Sequence, residues 1–273
     1  MGFCTACAVD AFGIEPEWIE IVENDLPLRT LPKGFTGLRV VQISDLHLSM
    51  TVSEKYLRRC IQRVNGLNPD IVVLTGDYVT LGLKDRYKER VVEIMGDICA
   101  KRGVYACLGN HDYGISARWQ QGRDELLNYL TEGMKSHNIR VLRNGHEAIT
   151  VGDETIYLVG LGDLWADDLK VAEAFRGVPD EATRILLVHN PDSIDHLGAV
   201  SPDAMLCGHT HGGQVKMPFL GPPILPVKNR QYYAGLYEVG ETKMYINRGL
   251  GRLGRVRFNC RPEITVHTLQ RPA

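Results

Sequence analysis

The segment Gly208-His209-Thr210-His211-Gly212-Gly213-Gln214 follows directly on the apolar run Ala204-Met205-Leu206-Cys207. That run has the length and character of a buried strand. Two histidines at i and i+2 beyond a strand end point to the same side, because strand side chains alternate with period two. The flanking glycines let the chain turn sharply and leave space beside the imidazoles. Convergent imidazoles with room between them are what a metal ion requires.

Upstream, the same arrangement recurs four times. Leu38-Arg39-Val40-Val41-Gln42-Ile43-Ser44 leads into Asp45-Leu46-His47, and Asp70-Ile71-Val72-Val73-Leu74-Thr75 into Gly76-Asp77. Val104-Tyr105-Ala106-Cys107-Leu108 leads into Gly109-Asn110-His111-Asp112, and Ile185-Leu186-Leu187-Val188 into His189-Asn190. Near-continuous apolar strands belong to sheets covered on both faces. Such sheets bind ligands beyond the carboxyl ends of their strands, and all five polar groups fall there.

Helical stripes lie between the first strands. Thr51-Val52-Ser53-Glu54 reads as a capping box ahead of Leu57, Cys60, Ile61 and Val64. Val91, Ile94, Met95 and Ile98 form a second stripe, with Gly103 as its stop; Leu127, Leu130 and Met134 form a third. This alternation predicts right-handed crossovers and a largely parallel sheet. Shorter strands follow at 139–142, 147–151 and 155–159, separated by the turn signals Asn144-Gly145 and Gly152-Asp153. Strand patterns return at 243–246 and 263–268, and Trp18-Ile19-Glu20-Ile21-Val22 reads as an edge strand. The order predicts an α/β chain with two packed sheets and helices outside.

At 273 residues the chain is near the upper end for one core, so 1–273 is expected to be a single domain with 1–37 as an extension packed on it. A net charge of −2 is not that of a protein that neutralises nucleic-acid phosphates, and no stable nucleic-acid complex is expected. The cysteines at 4, 7, 60, 99, 107, 207 and 260 are odd in number and mostly sit in apolar segments, which implies a reducing compartment. Cys4 and Cys7 form a bare CxxC, a weak signal for redox or metal chemistry. No apolar run approaches the ~18 residues of a membrane span. The expectation is a soluble cytoplasmic protein, with membrane contact confined to the periphery of the inner membrane.

The candidate ligands are Asp45, His47, Asp77, Asn110, His189, His209 and His211. Imidazole mixed with carboxylate and amide oxygen suits Mn, Zn, Fe or Co. Seven donors are too many for one ion with an open position, whereas two divalent ions sharing a carboxylate account for them. The ordered set Asp-x-His, Gly-Asp, Gly-Asn-His-Asp, His and Gly-His-x-His, spanning 45–211, resembles the calcineurin-like metallophosphoesterase superfamily. The resemblance implies a four-layer αββα sandwich, the metallo-dependent phosphatase fold. It also implies that Asp45, His47 and His211 hold one metal, that Asn110, His189 and His209 hold the other, and that Asp77 bridges them. His111 would stand beside the leaving group, with Asp112 a further catalytic candidate that orients or polarises its surroundings.

The segments 43–47, 209–215, 247–251 and 257–264 are similar to those of the bacterial YkuE/YaeI-type branch. That branch implies a phosphodiesterase acting through a metal-bridging hydroxide on a small phosphodiester. The alternatives are a UDP-2,3-diacylglucosamine-type pyrophosphate hydrolase at the inner membrane face and a metal-free scaffold of the same fold. Arg252, Arg255 and Arg257, with Arg248, form a basic run suited to gripping a second phosphate. Trp119 and Trp165 are candidate walls of the substrate cleft, and the apolar stretch 219–226 could meet a lipid or aromatic leaving group. His137, His146, His196 and His267 read as surface or loop residues.

Overall fold

The computed structural model describes residues 10–80 and 87–272, so the Cys4/Cys7 pair lies outside the described residues. The strands are β1 (Glu20–Pro27), β2 (Arg39–Ile43), β3 (Ile71–Thr75), β4 (Val104–Cys107), β5 (Ile139–Val141), β6 (Gly145–Val151), β7 (Glu154–Gly160), β8 (Thr183–Leu187), β9 (Ala204–Cys207), β10 (Gly235–Val239), β11 (Thr242–Ile246) and β12 (Glu263–Gln270). The helices are α1 (Glu54–Gly66), α2 (Lys88–Gly96), α3 (Asp124–Ser136) and the single turn α4 (Val171–Ala174).

Two six-stranded sheets form, ordered β1-β12-β2-β3-β4-β5 and β10-β11-β9-β8-β7-β6. Both are mixed. In the first, only the β12–β2 pair is antiparallel; in the second, the β6–β7 and β10–β11 hairpins are. Alternation along each strand sorts its side chains between two cores. Val40, Ile71, Val73 and Cys107 meet Leu158, Ile185, Leu187 and Leu206 between the sheets. Val41, Val72, Leu74 and Ala106 face outward under α1, α2 and α3. Leu186, Val188, Met205 and Met244 face outward on the other side, under Ala174, Val178 and Leu197. The order is therefore helices, sheet, sheet, helices, with a thin fourth layer made of α4 and the 3-10 turn Pro191–His196.

Several local expectations change. The α1 cap is Ser53, whose side chain accepts from Tyr56 N, and Thr51 lies outside the helix. α2 ends at Gly96, so Gly103 does not stop it and Ile98 packs from the connecting loop. Asn144-Gly145 makes no hairpin: β5 and β6 sit in different sheets, and the pair carries the chain between layers. Gly152, at φ 61, does turn the β6–β7 hairpin. The strand expected near Trp18 is β1, an edge strand paired in parallel with β12. β10, unforeseen, pairs with β11 across Gly240 and Glu241.

His267 needs correction. It is fully buried on β12, an interior strand with both faces covered. Its Nε2 donates to Gln42 Oε1 at 2.9 Å and its Nδ1 accepts from Asn24 Nδ2 at 3.0 Å. His137 and His196 are exposed, and His146 is half-buried against Ala174 O.

Candidate metal centre

The carboxyl ends of β2, β3, β4, β8 and β9 converge, and the turns leaving them are unusually tight. Asp45, His47, Asp77, His209 and His211 all adopt left-handed backbone, with φ between 45 and 71. Non-glycine residues seldom take this conformation, and it clusters at functional sites. The close approach of the turns demands glycine. A Cβ on Gly76, itself at φ 92, would stand 2.5 Å from Gly109 N, and one on Gly208 would collide with Ser44 and Asp45.

Three donor groups result, each with its atoms within 4.8 Å of one another: Asp45, His47 and His211; His47, Asp77 and His111; Asp77, His189 and His209. Asp77 Oδ2 stands between the outer two, 3.4 Å from His47 Nε2 and 3.2 Å from His189 Nε2. His211 Nε2 lies 3.3 Å from Asp45 Oδ1 and 3.1 Å from His47 Nε2. Asp45, His47, Asp77, Asn110, His189, His209 and His211 are all buried.

A ring of protein oxygens orients these donors, as outer partners do at metal sites. His189 Nδ1 donates to Thr75 O at 2.6 Å, His209 Nε2 to Pro226 O at 3.2 Å, and His47 Nδ1 to Thr80 Oγ1 at 3.0 Å. Each bond leaves the other ring nitrogen as a lone pair turned inward. Asn110 Nδ2 donates to Ile115 O at 2.6 Å, which aims the amide oxygen the opposite way. Asn110 Oδ1, His189 Nε2 and His211 Nδ1 are buried with no hydrogen-bond partner. Orphaned donors of this kind, gathered around shared carboxylates, fit a divalent cation.

The electrostatics agree. Burial, against the pull of Asp77, pushes the His47 imidazole down to about 3; burial and His189 push His209 to about 3; burial and His47 hold His211 well below its ordinary value. All three are neutral at pH 7, as ligands must be. Burial works to lower His189, but Asp77, Asp45 and Asp163 raise it to about 10. Asp77 is held well below the carboxylate range by His189 and His111, despite its burial.

His111 N donates to Asp77 Oδ1 at 2.9 Å, and its ring stands 4.9 Å from that of His47. Asp112 is fully buried and accepts from Asp77 N at 2.8 Å, Tyr78 N at 2.9 Å and Gly109 N at 2.9 Å. It ties the β3 and β4 turns together and does not face the cavity. The cavity, about 380 Å³, opens over Asp77, Asn110, His111 and His211, and its other walls include Trp165, Val215, Pro226 and Leu253. Trp165 lines the cavity and meets His209 edge-on at 4.8 Å. Trp119 is 86% exposed and lies off the cavity.

The basic run is not the expected grip. Arg257 is fully buried and donates to Arg248 O, Gly249 O, Gly251 O and Cys260 O, which occupies its whole guanidinium. Arg248 is bound by Glu263 and Glu20, and Arg252 is buried with a bond to Pro16 O. Arg255 is exposed outside the cavity wall. Two residues escaped the sequence reading. Asp163, beyond β7, is fully buried next to the centre, with Oδ1 accepting from Trp165 N at 2.8 Å and Oδ2 unpartnered. Its signal was Gly162-Asp163 at a strand end. Arg118 lies 5.4 Å over the Trp165 ring and 3.7 Å from Asp192, which nothing local in the sequence announces.

Known proteins share this chain's pattern. A calcineurin-like phosphoesterase family model matches residues 38–213. Phosphodiesterase YaeI of Escherichia coli is 33% identical over 252 residues, covering 92% of this chain and 88% of its own. The uncharacterized metallophosphoesterase YkuE of Bacillus subtilis is 34% identical over 260 residues, covering 94% and 87%. The UDP-2,3-diacylglucosamine pyrophosphatase LpxG of Chlamydia trachomatis is 32% identical over 280 residues, covering 86% and 85%. Since the matched span takes in all five converging strand ends, the chain belongs to the calcineurin-like phosphoesterase family, metal-dependent hydrolases of phosphoester bonds.

Proposed function

We propose that the chain hydrolyses phosphodiesters at a centre for two divalent cations, Mn, Zn, Fe or Co, with residues 1–273 working as one domain. Asp45, His47 and His211 would hold one cation, and Asn110, His189 and His209 the other, with Asp77 shared. The observation that carries this is Asp77 Oδ2, within 3.4 Å of an imidazole nitrogen on each side. Divalent cations at such a site supply Lewis-acid activation of water and neutralise charge on the phosphoryl oxygens.

The protein's own groups do the rest. Asp112 fixes the backbone that presents Asp77 and Tyr78, so the shared carboxylate is set before substrate arrives. His111 sits at the mouth and would donate a proton to the departing oxygen. Burial lowers its pKa against the pull of Asp77, so it needs the anionic phosphoryl group beside it to hold that proton. The apolar wall of Val215, Ile224, Pro226 and Leu253 favours a substrate with an organic arm beyond the phosphorus, hence a diester over a monoester.

The same wall favours a second reading, cleavage of a lipid-linked nucleotide pyrophosphate at the inner membrane face; the name of LpxG gives UDP-2,3-diacylglucosamine as that protein's substrate. The test is metal content of the purified protein, followed by turnover of bis(p-nitrophenyl) phosphate, p-nitrophenyl phosphate and a UDP-linked lipid with Mn²⁺. Stoichiometric metal with preferred diester cleavage supports the first reading, and preference for the UDP-lipid the second. Asp77→Asn should remove metal and activity together. An Asp77→Asn enzyme with full metal and full rate would overturn the shared-ligand assignment.

A further inference from the structure

The surface beside the cavity differs from the rest of the molecule. After His211 the chain makes a tight hairpin, in which Met217 N donates to Gly221 O and Gly221 N to Met217 O, both at 3.0 Å. Its tip is Pro218-Phe219-Leu220. Phe219 is exposed at 108%, with its backbone at φ 64, and Leu220 is exposed at 83%. A left-handed phenylalanine with its whole ring in water opposes both backbone preference and the hydrophobic effect.

The apolar exposure extends across neighbouring loops. Leu253 N donates to Gln214 Oε1 at 2.8 Å, and Lys216 N to Phe258 O at 2.8 Å, so the loop at 249–261 is zipped to the hairpin. Arg257 N donates to Ala11 O at 3.0 Å, which brings in the N-terminal turn with its exposed Phe12 and Ile14. Met217, Ile224 and Leu253 complete the set, and Ile224 and Leu253 also line the cavity. Seven of the thirteen exposed large apolar side chains among the described residues therefore sit on three linked segments, and two of the seven line the cavity.

Charge on the two loops that follow His211 and Ile246 has a single sign, while the N-terminal turn adds Asp10. No Asp or Glu occurs between Asp203 and Glu238, or between Glu241 and Glu263, in a chain whose net charge is −2. The same stretches expose Lys216, Lys228, Arg230 and Arg255. An apolar tip ringed by cations complements an interface that is apolar within and anionic at its surface.

We infer that this face docks on an anionic lipid bilayer. Phe219 and Leu220 enter the boundary between headgroups and acyl chains, the basic ring meets the headgroups, and the cavity mouth opens at the membrane surface. Partition is measured without substrate, so this inference and the phosphodiester reading fail independently.

The test is co-sedimentation of the manganese-loaded protein with vesicles of phosphatidylcholine alone or mixed with phosphatidylglycerol. The expected result is binding to the mixed vesicles that weakens with salt. Phe219→Glu/Leu220→Glu should cut partition about tenfold or more, leaving the unfolding midpoint and the manganese content unchanged. Phe219→Ser/Leu220→Ser should behave alike if the glutamate pair unfolds. Lys216→Glu/Lys228→Glu should weaken binding and flatten its salt dependence. A wild type that ignores mixed vesicles, or a double variant that binds as well as wild type, overturns the inference. So does a dimer in light scattering that the Phe219/Leu220 variants dissociate, since the face would then belong to a second copy.

Discussion

Arg257→Met separates a structural arginine from a substrate-binding one. The guanidinium reaches Gly251 O at 2.6 and 3.2 Å, Arg248 O at 2.8 Å, Cys260 O at 3.0 Å and Gly249 O at 3.1 Å. Those carbonyls belong to the loop that lies over the β2 turn, where Leu250 N donates to Ser44 O and Gly251 N to Asp45 O. Methionine keeps most of the apolar stem and removes every donor. Gly249 O keeps Glu263 N as a second donor, so three buried carbonyls are left unpaired, at about 1 kcal/mol or more apiece and about 4 kcal/mol together. Relief of a desolvated cation offsets part of this, leaving a net loss of about 3 kcal/mol. For a chain of this size the melting temperature should fall by about 6–12 °C. Arg257→Lys should recover little, because one ammonium cannot serve four carbonyls arranged for a planar fork. Denaturant unfolding monitored by tryptophan fluorescence checks the value. A stability loss under about 1 kcal/mol with a raised KM for diester would refute the structural role and restore the phosphate grip.

His111→Ala should slow cleavage of alkyl esters about 100-fold or more while sparing nitrophenyl esters, whose leaving groups need no proton; equal losses would remove His111 from that role. Asp112→Asn keeps the shape but turns one of the two accepting oxygens into an NH2 donor, so at least one of the three backbone N–H groups loses its acceptor; metal retention and kcat should fall together, and an unchanged metal titration would argue that Asp112 positions nothing. Burial holds His267 at about 3, against about 6.5 in an unfolded chain. Its contribution to stability is thus fully present above pH 6.5 and is lost as pH falls from there toward 3, by about 1.4 kcal/mol per unit. His267→Gln should flatten that part of the stability curve relative to wild type, and parallel wild-type and variant curves would contradict the assignment.

The centre was legible because three independent signals coincide at each ligand: an apolar run, its carboxyl end, and a donor side chain. Tertiary structure then had only to gather the five ends. Asp163 satisfies the same three signals, but β7 reads as part of an antiparallel stretch, which hides its end as a ligand position. Sequence also records alternation more faithfully than sheet position. The run ending in His267 was recognisable as a strand, but not as one flanked by β1 and β2. Arg257 shows the opposite limit. Cations among glycines look solvated, and only the return of 248–251 over Asp45 reveals carbonyls that need a buried donor. The cap of α1 moved by two residues because Thr51 and Ser53 are equally good acceptors and local context does not rank them.

The left-handed turns at Asp45, His47, Asp77, His209 and His211 bear on how the protein could change over time. Each carries on the order of 1 kcal/mol of backbone strain that a glycine would relieve. A glycine there relieves that strain but removes a buried side chain and, at Asp45 and Asp77, the acceptor of the His209 and His111 backbone N–H groups, so strain and support are set against each other within the same turns.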